Sequence, residues 1–111
     1  MPRNMSFSAT VDACRAKRKT VTRRQGWWHL KPGDILQQVE KGMGLKKGEK
    51  VKKIHLIRIL SVDGVPIDAI DQEDVYAEGF DCTPEVFVRF YCRFNKVKPH
   101  DLCNRIEYEY I

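Results

Sequence analysis

Between Lys17 and Arg24 the chain reads K-R-K-T-V-T-R-R, five cations and two hydroxyls in eight residues, and it continues directly into Gly26, Trp27, Trp28 and His29. Phosphate attracts such cations. A threonine hydroxyl hydrogen-bonds, or attacks once a neighbour takes its proton, and an indole offers a flat face to a base. The chemistry this combination suits is recognition of a nucleic acid or a nucleotide.

The elements that must position these groups are legible in outline. Ser8 or Thr10 is placed to cap a short helix over Val11 to Lys17, with Asp12 in its first turn and cations at its end. Thr20, Val21 and Thr22 are β-branched and open a basic strand, which puts Lys19, Val21 and Arg23 on one face and Thr20, Thr22 and Arg24 on the other. Lys19 and Thr22 therefore need a bend or bulge to meet one ligand. Trp27 and Trp28 are neighbours and point opposite ways on an extended segment, one toward a ligand and one toward the core. A solvated turn is the expectation for His29.

Lys31-Pro32-Gly33-Asp34 is a turn, with proline presetting the first corner and glycine taking the positive φ of the second. Ile35 to Val39 reads as a strand. Glu40 to Lys53, with three glycines and six lysines around Met43 and Leu45, reads as a solvated hairpin or arm. Ile54 to Val62 is apolar on both parities, as in a central strand buried on both faces or bent through a barrel, and Asp63-Gly64 and Pro66 are expected to turn the chain and end its pairing. A short acidic helix over Ile70 to Ala77 stops at Gly79. Thr83-Pro84-Glu85 starts a second helix running to about Asn95, whose stripe of Val86, Phe87, Phe90, Tyr91 and Phe94 is assigned to the core. Ile106, Tyr108 and Tyr110 alternate with charged residues as a half-buried strand does. Short strands that dominate so small a chain hide their edges by curling, so the expected fold is α+β, a small mixed β-barrel with two to three inserted helices over residues 1–111 as one domain.

Composition bounds the function. The chain has 111 residues, 42% of them hydrophobic, and carries 20 Lys+Arg against 15 Asp+Glu for a net charge of +5, which favours polyanionic partners. No apolar run approaches the ~18 residues that span a bilayer, and Met1 to Ser8 lacks the apolar stretch of a secretory signal, so a soluble cytoplasmic protein without a membrane partner is expected. Cys14, Cys82, Cys92 and Cys103 form no C-x-x-C pair and are assigned as reduced thiols packed as small apolar groups. Cys92, His100 and Cys103 match no common zinc spacing, so neither an obligatory metal nor another cofactor is assigned.

The order Lys19, Thr22, Arg24, then Trp27, then the K-P-G-D turn, and later Glu78-Gly79-Phe80, resembles the ASCH family of PUA-like barrels over most of the chain. That family's basic motif is glycine, any residue, lysine, two of any kind, threonine, any residue, arginine; here Lys17 stands at the glycine. The resemblance implies an RNA- or nucleotide-binding cleft between barrel and helices. In one small bacterial branch it implies hydrolysis of N(4)-acetylcytidine by a lysine, a threonine and a glutamate, which fall by position on Lys19, Thr22 and Glu78. Small members of the family, several of them phage-encoded, are the nearest in length.

The leading expectation is a binding domain for RNA, single-stranded nucleic acid or a modified nucleobase, with Lys19, Thr22, Arg24, one of Trp27 or Trp28, and Glu78 against the ligand. In the alternative, an amidohydrolase, a desolvated Lys19 activates Thr22 while Glu78 holds or protonates the leaving amine. A third expectation is an accessory protein that binds another protein through its lysine-rich arm. The plainest assignment makes Lys19, Arg24 and Glu78 only an ion pair between strand and helix end.

Overall fold

In the computed structural model, which describes residues 2–41 and 47–111, five strands form one curled, half-barrel mixed sheet, and three helices accompany it. In chain order these are β1 (Arg3–Ser6), α1 (Val11–Arg15), β2 (Val21–Arg24), β3 (Ile35–Val39), β4 (Lys53–Pro66), a 3₁₀ turn (Ile67–Ala69), α2 (Gln72–Ala77), α3 (Pro84–Asn95) and β5 (Leu102–Tyr110). The strands lie in the order β1-β3-β4-β5-β2, with β1 parallel to β3 and every other pair antiparallel. β1 and β2 are thus the two edges. No helix of the described residues is long and apolar enough to cross a membrane.

Local chemistry explains most boundaries. Asp71 caps α2 by accepting from the Asp74 amide, and the Thr83 side chain caps α3 in the same way at Val86, one residue ahead of Pro84. The K-P-G-D turn forms with Gly33 at φ +95 and the Lys31 amide donating to Asp34 Oδ2 at 2.9 Å. α1 stops at Arg15, two residues short of the expected end. Lys17 turns left-handed at φ 58 there, and its amide and that of Arg18 close back on the carbonyls of Cys14 and Ala13. This is the double closure that usually places glycine at the turning residue. Thr10 precedes α1 without capping it through its side chain.

The sequence expectation for β4 needs one correction. Asp63, Gly64 and Pro66 do not turn the chain; they continue β4 in register against Arg105, Asn104 and Leu102 of β5. Gly64 lies under the Trp28 ring, where an added Cβ would make ordinary contact at 3.6 Å, and Pro66 is tolerated as the strand's last residue. Of the two alternatives for the apolar parities of β4, burial on both faces fails, since Ile57 and Ile59 are buried whereas Leu56 and Leu60 are exposed, and a strand within a curled half-barrel sheet holds. One face meets the core, and among the described residues Leu56 and Leu60 on the other stay exposed.

The core has two apolar clusters. The first lies within the curl of the sheet and includes Met5, Phe7, Leu36, Ile57, Ile106 and Tyr108. The second joins Ile67, Ile70 and Val75 to Phe87 and Tyr91 of α3 and to Cys103 of β5. The aromatic stripe assigned to the core is only half buried: Phe87 and Tyr91 are covered, but Val86, Phe90 and Phe94 are exposed. One neighbouring surface seats one helical row, and the flanking row at positions 86, 90 and 94 lies beyond its reach. The lysine-rich arm falls partly outside the described residues, Met43 and Leu45 among them.

Candidate functional site

The closure at Lys17 delivers Lys19 into the link before β2, off the regular strand, and this supplies the bend that a continuous strand lacks. From there the Lys19 amine donates to the Glu78 backbone carbonyl at 2.6 Å and to Glu78 Oε1 at 3.1 Å. Arg23 Nη1 donates to the other carboxylate oxygen, Oε2, at 3.1 Å, and its Nη2 to Asp74 at 2.6 Å. Arg105 then grips both oxygens of Asp74. Lys19, Arg23 and Glu78 are at most 6% exposed, so these charges hold one another away from water.

Glu78 reaches this position through the turn after α2. Gly79 takes φ +93, and a Cβ there would stand 2.9 Å from that of Ala13. Arg18 braces the same turn by donating to the Gly79 carbonyl at 3.0 Å. The amide of Thr20 closes on the carbonyl of Ala77, and the Tyr110 hydroxyl donates to the carbonyl of Lys19 at 2.5 Å.

Side chains of both parities of β2 reach one space. A cavity of ≈ 280 Å³ is lined by Lys19, Thr22, Arg23, Arg24 and Glu78 together with aromatic residues of both core clusters. Within it Arg24 Nε donates to Thr22 Oγ1 at 3.0 Å and Nη2 to the Ser6 carbonyl at 2.6 Å, and the guanidinium lies 4.8 Å over the Phe7 ring. Among the described residues Arg24 forms no ion pair, and no hydrogen bond joins Lys19 to Thr22. Burial pushes the Lys19 amine below its ordinary pKa, with the Glu78 charge opposing the change. Burial also lowers Arg24 and raises the Tyr91 phenol to about 12.

Four of the residues singled out in the sequence, Lys19, Thr22, Arg24 and Glu78, therefore line one cavity, and two do not. Trp27 is left-handed at φ 59, packs on the first core cluster and has its carbonyl held by Asn104 Nδ2 at 3.0 Å. Trp28 is 53% exposed and lies over Gly64. Neither indole lines the cavity; the turn at Gly26 and Trp27 carries both away from it. His29 stacks on Trp27 and accepts from Arg3. Sequence reasoning missed Arg23, although the two-residue period had already set it beside Lys19, and it missed the α3 aromatics on the cavity wall. Cys14 and Cys103 are buried, while Cys82 and Cys92 are only partly covered, and no three metal-ligating side chains gather among the described residues.

The fold is that of an ASCH domain. The chain superposes on the crystal structure of an ASCH domain from Lactobacillus crispatus JV V101 with a TM-score of 0.66 at 16% identity, covering 97% of this chain and 78% of that one. It also superposes on a protein from Enterococcus faecalis V583 matched to the DUF984 family, with a TM-score of 0.77 at 18% identity, covering 100% of this chain and 77% of that one. No family model and no curated protein matches the sequence.

Proposed function

We propose that this protein is a nucleic-acid or modified-nucleobase binding domain whose ligand enters the cavity bordered by Lys19, Thr22, Arg24 and Glu78. The supporting observation is the charge balance of the lining, three cations against one carboxylate. Lys19 and Arg23 are paired with Glu78, whereas Arg24, beside the Thr22 hydroxyl, makes no ion pair among the described residues. A phosphate or a polar base edge fits that vacancy, and the net charge of +5 draws polyanions toward it. The resemblance to ASCH domains points the same way and favours RNA. In this reading the chain acts as one domain.

The test is fluorescence anisotropy with single-stranded RNA and DNA oligomers across a salt series. Affinity falls steeply as salt rises, and Arg24→Ala and Thr22→Val each weaken binding, with thermal melts confirming that both variants fold. Binding that is indifferent to both substitutions overturns the assignment.

Hydrolysis of an acylated nucleobase amine is a second reading, favoured by the shared position of Lys19, Thr22 and Glu78 on one cavity lining. Lys19, once its own proton has passed to Glu78, would take the Thr22 proton as the hydroxyl oxygen attacks the acyl carbon. The amine would leave with a proton, and water would then release the acyl group from Thr22. Incubation with N(4)-acetylcytidine should yield cytidine with the native chain and none with Thr22→Ala; no cytidine from the native chain removes this reading.

A further inference from the structure

Phe90 and Phe94 stand one turn apart on the uncovered flank of α3, 43% and 70% exposed, with rings stacked at 5.9 Å and 25°. Phe80 leans on Phe90 at 5.5 Å. All three line the cavity that contains Thr22, Arg24 and Glu78. One side of the cavity is therefore aromatic, while another is charged and rich in hydrogen-bonding groups.

The ligand complementary to such a cavity has a flat π face and a polar edge. Small-molecule sites span about 300–1,000 Å³, and a cavity of ≈ 280 Å³ falls just below that range, with room for one ring system. The polar side is ready for an edge. Thr22 Oγ1 already accepts from Arg24, so its own proton is free to donate, and Arg24 Nη1 has no hydrogen bond among the described residues. A paired base hides both faces against its neighbours, so only an unpaired base can present one to phenylalanine.

We propose that Phe90 and Phe94 form a stacking wall for a single unpaired nucleobase, whose polar edge meets Thr22, Arg24 and Glu78. This rests on the reading of the cavity as a nucleic-acid or nucleobase site and adds to it the feature that selects a base over a bare phosphate chain.

The experiment compares a single-stranded RNA decamer of mixed sequence with an abasic decamer of the same phosphate count, using the full chain. The native protein binds the base-bearing decamer at least about fivefold more tightly, the lower end of what one stacked base contributes. Phe90→Ala/Phe94→Ala removes that preference, Phe90→Tyr retains it, and Arg24→Ala weakens both decamers. Exposed rings can be truncated without opening the core, and a thermal melt checks this. Competition by free nucleosides assigns the ring to a mononucleoside, and lack of competition assigns it to a strand; both keep the wall.

Equal affinity for the two decamers, or a preference that survives the double variant, overturns the wall while leaving the charged site intact if Arg24→Ala still weakens binding. Binding of neither decamer, or indifference to Arg24→Ala, removes both. A dimer in sedimentation velocity that the double variant dissolves assigns this face to a second copy of the chain and also overturns the proposal.

Discussion

Arg58 and Glu109 meet at 2.8 Å on the outer face of the sheet with 44% and 45% of their side chains exposed, while Lys19, Glu78 and Arg23 form similar contacts almost wholly out of water. The chemical partners are alike, and the surroundings differ. On the surface, water and salt solvate either partner when the other leaves, so such a pair adds little. In the buried group each charge depends on its neighbours, and the loss of one strands the rest. The difference teaches where the fold has committed itself: the charges around Glu78 are an arrangement that the backbone of two distant segments is shaped to keep.

The largest effect that would sharpen this contrast is Glu78→Ala. It leaves Lys19 and Arg23 without their carboxylate and should cost about 3–5 kcal/mol in urea unfolding, whereas Arg58→Ala should cost no more than about 0.5 kcal/mol. Equal losses would break the comparison.

Gly79→Ala comes next. The added methyl meets Ala13 in a backbone conformation that disfavours it, and the turn presenting Glu78 shifts, for an expected loss of about 1–3 kcal/mol in the same assay.

A smaller effect appears in acid. The hydrogen bonds of Arg105, with the one from Arg23, hold the Asp74 carboxyl down to about 2 from an ordinary 3.8. Its folded pKa is depressed, so the unfolded chain takes up the proton first as pH falls. The stabilisation is complete above pH 3.8, declines below it and is gone below about 2. Melting temperatures measured across that window should fall less steeply for Asp74→Asn than for the native chain.

The smallest expected change is a gain. Lys17 occupies a left-handed position without being glycine, so Lys17→Gly should add about 0.5–1 kcal/mol and raise the melting temperature by a few degrees. A loss would mean that the Lys17 side chain contributes more than its backbone costs.

Local signals decided what could be read before the structure. The cap at Thr83, the K-P-G-D turn and the alternation through Ile106, Tyr108 and Tyr110 are each complete within a few residues, and each formed. Asp63, Gly64 and Pro66 carry turn chemistry that long pairing with β5 overrides, so β4 runs on past them. Along the flank of α3, periodicity identifies an apolar row but not whether anything covers it. The basic motif and the E-G-F segment pointed to one space, yet Arg23 was passed over because nothing in the sequence shows that Asp74 and Glu78 flank it. The indoles went elsewhere because a left-handed residue at Trp27 replaced the assumed extended backbone.

Arg24 has a second consequence. Its contact with the Ser6 carbonyl runs from β2 to β1, the two outermost strands, and so fastens the open seam of the curled sheet with a side chain that also borders the cavity. Truncating that one side chain therefore parts the two free margins of the sheet as well as stripping the cavity of its guanidinium.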